Sequence, residues 1–181
     1  NKLSKLPAEI GQLAQLKKLD VSFNQLSELP AEIGQLAQLE RLRASHNKLT
    51  TLPKETGQLA MLKMLIVHFN QLTMLPREIG QLAQLKLLDV HCNKLPDIPK
   101  EIGQLVALEE LNVCNNRIQV LPTEFGQLSA LGSLFMGGNA FTAFPGEILV
   151  LVTLEYLDVR CNRFTTLPRE IEQLSALRWL A

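Results

Sequence analysis

Residues 13–35 read LAQLKKLDVSFNQLSELPAEIGQ, and residues 36–58 read LAQLERLRASHNKLTTLPKETGQ. The second stretch repeats the first after 23 positions, and the same step runs through the chain. Leu13, Leu36, Leu59, Leu82, Leu105, Leu128, Leu151 and Leu174 form one column, with two more Leu columns starting at Leu16 and Leu19. Asn recurs in phase from Asn1 through Asn24 and Asn93 to Asn162, and Pro from Pro7 through Pro30 to Pro168. No insertion or deletion breaks the register. A fixed period of this length is the mark of stacked repeats, and it takes precedence over any element-by-element reading.

Within one unit, Leu19-Asp20-Val21-Ser22 alternates apolar and polar residues, the period of a short half-buried strand. Asn24 follows where the chain must leave the strand. Its carboxamide can bond backbone groups of neighbouring turns, so stacked Asn residues are expected to form a ladder. Pro30 is placed to open a helical turn with Glu32 near its positive end. Ile33 and Leu36 face inward, and Gly34 is expected to limit the helix length. One unit cannot bury its leucines alone, so the units stack into a continuous core. The bulkier helical side spreads the outer wall. The fold expected is therefore α/β: a curved solenoid with a parallel β-sheet on the concave side and short helical turns on the convex side.

With L-x-x-L-x-V-x-x-N-x-L in each unit and L-P-x-E-I-G-Q-L between units, the chain resembles leucine-rich repeat proteins. The 23-residue unit with L-P-x-E-I-G is most similar to the intracellular Ras-group class, and similar arrays occur in bacterial secreted effectors. The resemblance implies a protein-binding module, with a small GTPase or other signalling protein as the partner for a scaffold of the first type. An array of the second type would dock a host or companion protein.

Residues 1–181 are expected to form a single domain of about eight repeats. Asn1 already occupies the Asn column and Ala181 follows the last strand Leu, without a polar-faced cap at either end. The chain accordingly reads as an excerpt of a longer array, and as a monomer. Cys92, Cys114 and Cys161 are odd in number and form no zinc-type pair or disulfide framework. That usage, with no N-x-S/T acceptor, suits the cytoplasm, or a host's cytoplasm for an effector.

Eighteen basic and eighteen acidic residues cancel, and a single Trp and Tyr supply no base-stacking platform, which argues against nucleic acid. No apolar run is long enough to cross a bilayer.

Constant columns serve the scaffold, so recognition belongs to the variable residues of the strand face. Met64, Ile66, Phe69 and Leu87 fall on two adjacent rows, about 4.8 Å apart, within reach of one another. Arg41 and Arg43 border them on one side, and Asp89 and Glu110 on the other. Apolar anchors with a charged rim have the composition of a protein-binding surface. His68 and His91 lie beside this patch, and Phe135, Tyr156 and Arg160 lie further along the face. Phe23 and Phe69, each just before an Asn, have a second reading as packing against the next coil. Gly137-Gly138 reads either as a notch admitting a partner's backbone or as a loosened turn. The apolar run Ile148-Leu149-Val150-Leu151 reads as a longer buried helix or as a second contact surface.

Chemistry is expected to be absent. His68, His91 and Cys114 share a column, but its outer members are two strand spacings apart, about 10 Å, too far for one zinc ion. A Cys114–His91 dyad beside Asn112 would have no oxyanion hole on an open sheet. Asp20, Asp89 and Asp158 are three rows apart and cannot flank a bond. No cofactor is implied.

Overall fold

The computed structural model describes residues 1–181. Each repeat contributes one short strand: β1 (Lys18–Asp20), β2 (Arg41–Arg43), β3 (Met64–Ile66), β4 (Leu87–Asp89), β5 (Glu110–Asn112), β6 (Ser133–Phe135), β7 (Tyr156–Asp158) and β8 (Trp179–Leu180). They form a single open parallel sheet in sequence order. Pairing joins residues one repeat apart, as in Leu42 with Leu65 and Leu65 with Leu88. The middle residue of each inner strand is a fully buried Leu, while its two neighbours face the concave side. The core is one continuous apolar column along the solenoid.

The Asn column holds adjacent coils together. Asn47 accepts a hydrogen bond from the Leu26 N–H of the preceding repeat at 2.9 Å. Its amide donates to Val21 O, also in the preceding repeat, and to Ala44 O in its own. The pattern recurs at Asn70, Asn93, Asn116, Asn139 and Asn162. Backbone groups that bend out of the sheet thus find partners in the interior.

The residue before each Asn turns the chain through a left-handed backbone conformation. Phe23, His46, Phe69, Cys92, Asn115 and Cys161 have φ between 51° and 57°, and Gly138 has φ of 69°. Of these, His46, Asn115 and Gly138 are residue types that adopt this conformation more readily, whereas Phe23 and Phe69 are not.

The convex side differs from expectation in two ways. The expected short helical turns are present as 3₁₀ turns, as in Ala31–Gln35, but Pro30 caps the turn in extended conformation (φ −68°, ψ 148°) instead of occupying its first position. Gly34 also has another reason to be Gly. A Cβ there would lie 2.7 Å from both the Glu55 carbonyl and the Gln58 Oε1 of the next repeat. The glycine column is where successive coils touch, and a side chain would push them apart.

That contact fails once. Leu149 and Val150 replace Gly-Gln, and the turn there shrinks to Gly146–Ile148. A longer buried helix is therefore excluded. Ile148 and Leu151 are buried, but Val150 and Val152 are 61% and 58% exposed. All Cα atoms of this turn stay beyond 8 Å from those of the next turn, Arg169–Gln173. Terminal coils have one neighbour each, so Leu13 is 50% exposed where Leu36 is fully buried.

Candidate functional site

The strand register builds the concave face from columns. The first column joins Arg41 to Met64, Met64 to Leu87 and Leu87 to Glu110. The second joins Arg43 to Ile66 and Ile66 to Asp89. Met64, Ile66 and Leu87 are half-buried and outward of the Leu core. An apolar stripe two strands wide thus separates a cationic strand from an acidic pair. A hollow of about 600 Å³ borders it, lined by Arg41, Met64, Leu87 and Glu110.

Charges in the adjoining column pair with one another: Lys63 with Glu40 at 3.1 Å, and Lys86 with Glu109 at 2.7 Å. Arg41 and Arg43 form no such pair. Burial, reinforced by the nearby Asp89, raises the pKa of Glu110.

Asp89 and Arg160 have tasks within the fold. Asp20, Asp89, Asn112 and Asp158 each accept the backbone N–H two residues on, a local bond that finishes the strand. Asp89 also holds His91 Nδ1 at 2.7 Å. The buried Asp158 carboxylate is gripped by the Arg160 guanidinium at 2.7 and 3.0 Å, which lowers its pKa. Phe135, Tyr156 and Arg160 stand apart from the apolar stripe, on β6, on β7 and just beyond it. Tyr156 pairs with Trp179, whose ring centroid lies 5.8 Å from the Arg160 guanidinium carbon.

A cluster of rings lies along the turn edge of the face. His46 is sandwiched between Phe23 and Phe69 at centroid distances of 4.3 and 4.5 Å. His68 meets His46 edge-on and stacks on His91 at 4.4 Å. All three histidines of the chain belong to this cluster. Phe23 and Phe69 stack as the packing reading expected, yet remain 65% and 45% exposed. Burial is the main cause of a lowered His68 pKa; Asp89 opposes it, while His91 and His46 reinforce it. The His68 Nδ1 is buried without a partner. Phe23, His46 and the buried Ser45 thus join the face, and three imidazoles in successive repeats were the sequence signal for them.

Gly137 and Gly138 are explained by the backbone. Gly138 occupies the left-handed position, where a Cβ would collide with Asn115 Oδ1. A Cβ on Gly137 would meet Asp158 Oδ1 at 3.1 Å. The loosened-turn reading therefore fails, because both glycines sit in crowded places.

No three His, Cys, Asp or Glu side chains converge closely enough to hold a metal ion. The Cys114 thiol is pushed up to about 11, chiefly by burial, and His91 is engaged with Asp89 rather than with Cys114. A thiol so rarely ionised is a poor nucleophile.

The leucine rich repeat family model matches residues 14–72, 60–118 and 83–141, and a second leucine rich repeat model matches residues 153–174. The chain belongs to the leucine-rich repeat family. Arrays of this family are typically interaction modules without catalytic machinery. Among solved structures, this leucine-rich repeat chain is similar to a leucine-rich repeat protein of Leptospira interrogans, at 42% identity and TM-score 0.77. That match covers 100% of this chain and 52% of the other. An internalin of Listeria monocytogenes is 27% identical with TM-score 0.84, over 97% of this chain and 50% of the other. The Arabidopsis receptor kinase HAESA, solved with the peptide hormone IDA and the co-receptor SERK1, is 26% identical with TM-score 0.84. That likeness covers 97% of this chain and 31% of the receptor. The chain therefore spans about half the length of the two bacterial proteins. No curated protein matches it significantly. No helix is long and apolar enough to cross a membrane.

Proposed function

We propose that the chain is a non-catalytic recognition module whose concave strand face binds a polypeptide across β2–β5. The observation that carries this reading is the apolar stripe of Met64, Ile66 and Leu87 between the unpaired Arg41 and Arg43 and the acidic Asp89 and Glu110. Half-buried apolar anchors supply desolvation energy, and the opposed charges fix the direction of the bound segment. A partner of complementary polarity places its acidic end over β2 and its basic end over β4–β5. His68, Phe69 and His91 extend the contact toward the turn edge. Phe135, Tyr156 and Arg160 form its outlying part on β6–β7. Peptide binding by HAESA, a structural neighbour, is consistent with this use of the fold.

Of the two settings implied by the sequence, a signalling scaffold for a small GTPase and a bacterial array docking a host or companion protein, the Leptospira and Listeria likenesses favour the bacterial one. Three free cysteines suit a reducing compartment.

The test is selection of random twelve-residue peptides on the whole chain, followed by Ile66→Glu combined with Leu87→Arg. Selected peptides should lose at least about a hundred-fold in affinity, a scale set by the truncation of central interface anchors. The variant should retain its melting midpoint to within a few degrees. Unchanged affinity would move the binding site off the concave face.

A further inference from the structure

The concave face has a second hollow, of about 550 Å³, at its first three repeats. Phe23 and Ile66 give it apolar walls, and Ser45, almost fully buried, lies among its lining residues. Ser22, Arg43 and His68 complete it, with Asp20 at one side. Hydrogen-bond donors outnumber acceptors. The exposed Arg43 guanidinium offers five N–H groups and forms none of the ion pairs that occupy Lys63, Lys86, Arg160 and Arg178. Asp20 already spends one oxygen on the Ser22 N–H.

The aromatic wall comes at a conformational cost. Phe23 and Phe69 take the left-handed backbone, which bulky residues avoid, where His46, Asn115 and Gly138 are residue types that adopt it more readily. The fold does not need rings at this position. Strain held at an exposed aromatic cluster beside a polar hollow points to a binding role.

We propose that this hollow seats an acidic side chain of the partner, with its carboxylate on Arg43 and its stem against Phe23 and Ile66. The proposal rests on the concave-face reading above and specifies its cationic end. Arg43 lies beside Asp20 in the strand register, and the Asp20 carboxylate is stabilised first by the Ser22 N–H and hydroxyl and only last by the Arg43 charge. An incoming carboxylate therefore leaves the hollow negative unless an imidazole takes up a proton. His68 lines the hollow and is disposed to be neutral in the free chain because burial opposes its charging. The groups around it are Asp20 from the first repeat, Arg43 and His46 from the second, and Asp89 and His91 from the fourth. Binding consequently consumes up to one proton. Affinity tightens as pH falls from 7.5 toward 6, by at most about ten-fold per pH unit for one proton. The ligand carboxylate stays ionised over that range.

The experiment uses the whole chain and the random twelve-residue peptide library, selected at pH 6.5. Enriched peptides are measured by titration calorimetry in two buffers of different protonation enthalpy. The expected result is an Asp or Glu at one fixed position, whose replacement by Asn weakens binding by about ten-fold or more, the scale of a charged pair broken at an interface. Arg43→Gln should cause a similar loss. Proton uptake should vanish in His68→Gln, with circular dichroism establishing that both variants are folded. Peptides weakened by Leu87→Arg but indifferent to Arg43→Gln would overturn the acidic seat and leave the concave-face reading intact. Dependence on Arg43 without proton uptake would overturn the role of His68. Failure to enrich any peptide sensitive to Leu87→Arg would overturn the concave-face reading, and the seat with it.

Discussion

Asn93→Ala tests the physical basis of the stack. Asn93 is buried, with its Oδ1 2.9 Å from the Leu72 N–H and its Nδ2 2.9 Å from Val90 O and 3.1 Å from Val67 O. The two carbonyls are shared: Val67 O also accepts from Asn70, and Val90 O also accepts from Asn116. Only the Leu72 N–H loses its sole partner. An orphaned buried donor costs about 1–3 kcal/mol, and weakening two shared carbonyl bonds adds about 1 kcal/mol, so the loss should be about 3 kcal/mol. Asn24 makes the equivalent bonds at the edge of the stack, where water replaces them at Leu3, so Asn24→Ala should cost about 1 kcal/mol or less. Repeat arrays can unfold in parts, so the assay is hydrogen exchange as well as urea denaturation. Exchange of the Leu72 amide should accelerate about a hundred-fold, the equivalent of about 3 kcal/mol. If Asn93→Ala cost no more than Asn24→Ala, or left Leu72 protected, the ladder would not be what joins the coils.

Four further outcomes are expected. Gly80→Ala places a Cβ 2.6 Å from the Glu101 carbonyl and should destabilise by about 1–3 kcal/mol in urea melts, while Gly146→Ala, with open space around it, should be neutral or stabilising by about 0.5 kcal/mol. His68 has a folded pKa below its ordinary 6.5, so the folded state binds the proton less well. Its stabilising contribution is complete above 6.5 and is lost as pH falls through the folded value, and His68→Gln should flatten that part of a stability–pH curve. The Asp158 pKa is depressed by Arg160, so its contribution is present above the unfolded carboxylate value and disappears as pH falls through the folded one. Arg160→Ala should reduce that acid-labile portion in a melt series. Maleimide followed by mass mapping should modify exposed Cys161 first and Cys114 last, because the Cys114 thiol is held at about 11.

The leucine columns and the Asn column made the architecture legible, because each stands for a demand repeated in every coil: a filled core and a satisfied turn. Individual side-chain roles were less visible. Gly34 looked like a brake on helix length because its real neighbour, Glu55, is 21 residues away in the next coil. Leu149-Val150 read as a longer buried helix or as a second contact surface, since apolar composition alone does not reveal that the turn closes two residues early. The stripe of Met64, Ile66 and Leu87 followed from strand periodicity and lies where that period places it. The ring cluster did not, because His46 meets Phe23 and Phe69 through a left-handed turn that alternation cannot encode. Asp89 read as rim charge alone, whereas one of its two oxygens is committed to His91.

The missing convex contact at Leu149 has a mechanical consequence. A stack of coils behaves as springs in series, so an imposed bend collects at the softest joint. Between the turns Gly146–Ile148 and Arg169–Gln173 the convex contact is gone, and the sheet, the leucine core, the Asn162 bonds, the Arg163 N–H on Phe141 O and the edge-on contact of Phe144 with Phe164 resist it from the other side. Tension or a bulky ligand should therefore flex the solenoid there first, leaving the aromatic and charged surface of the first five repeats undistorted.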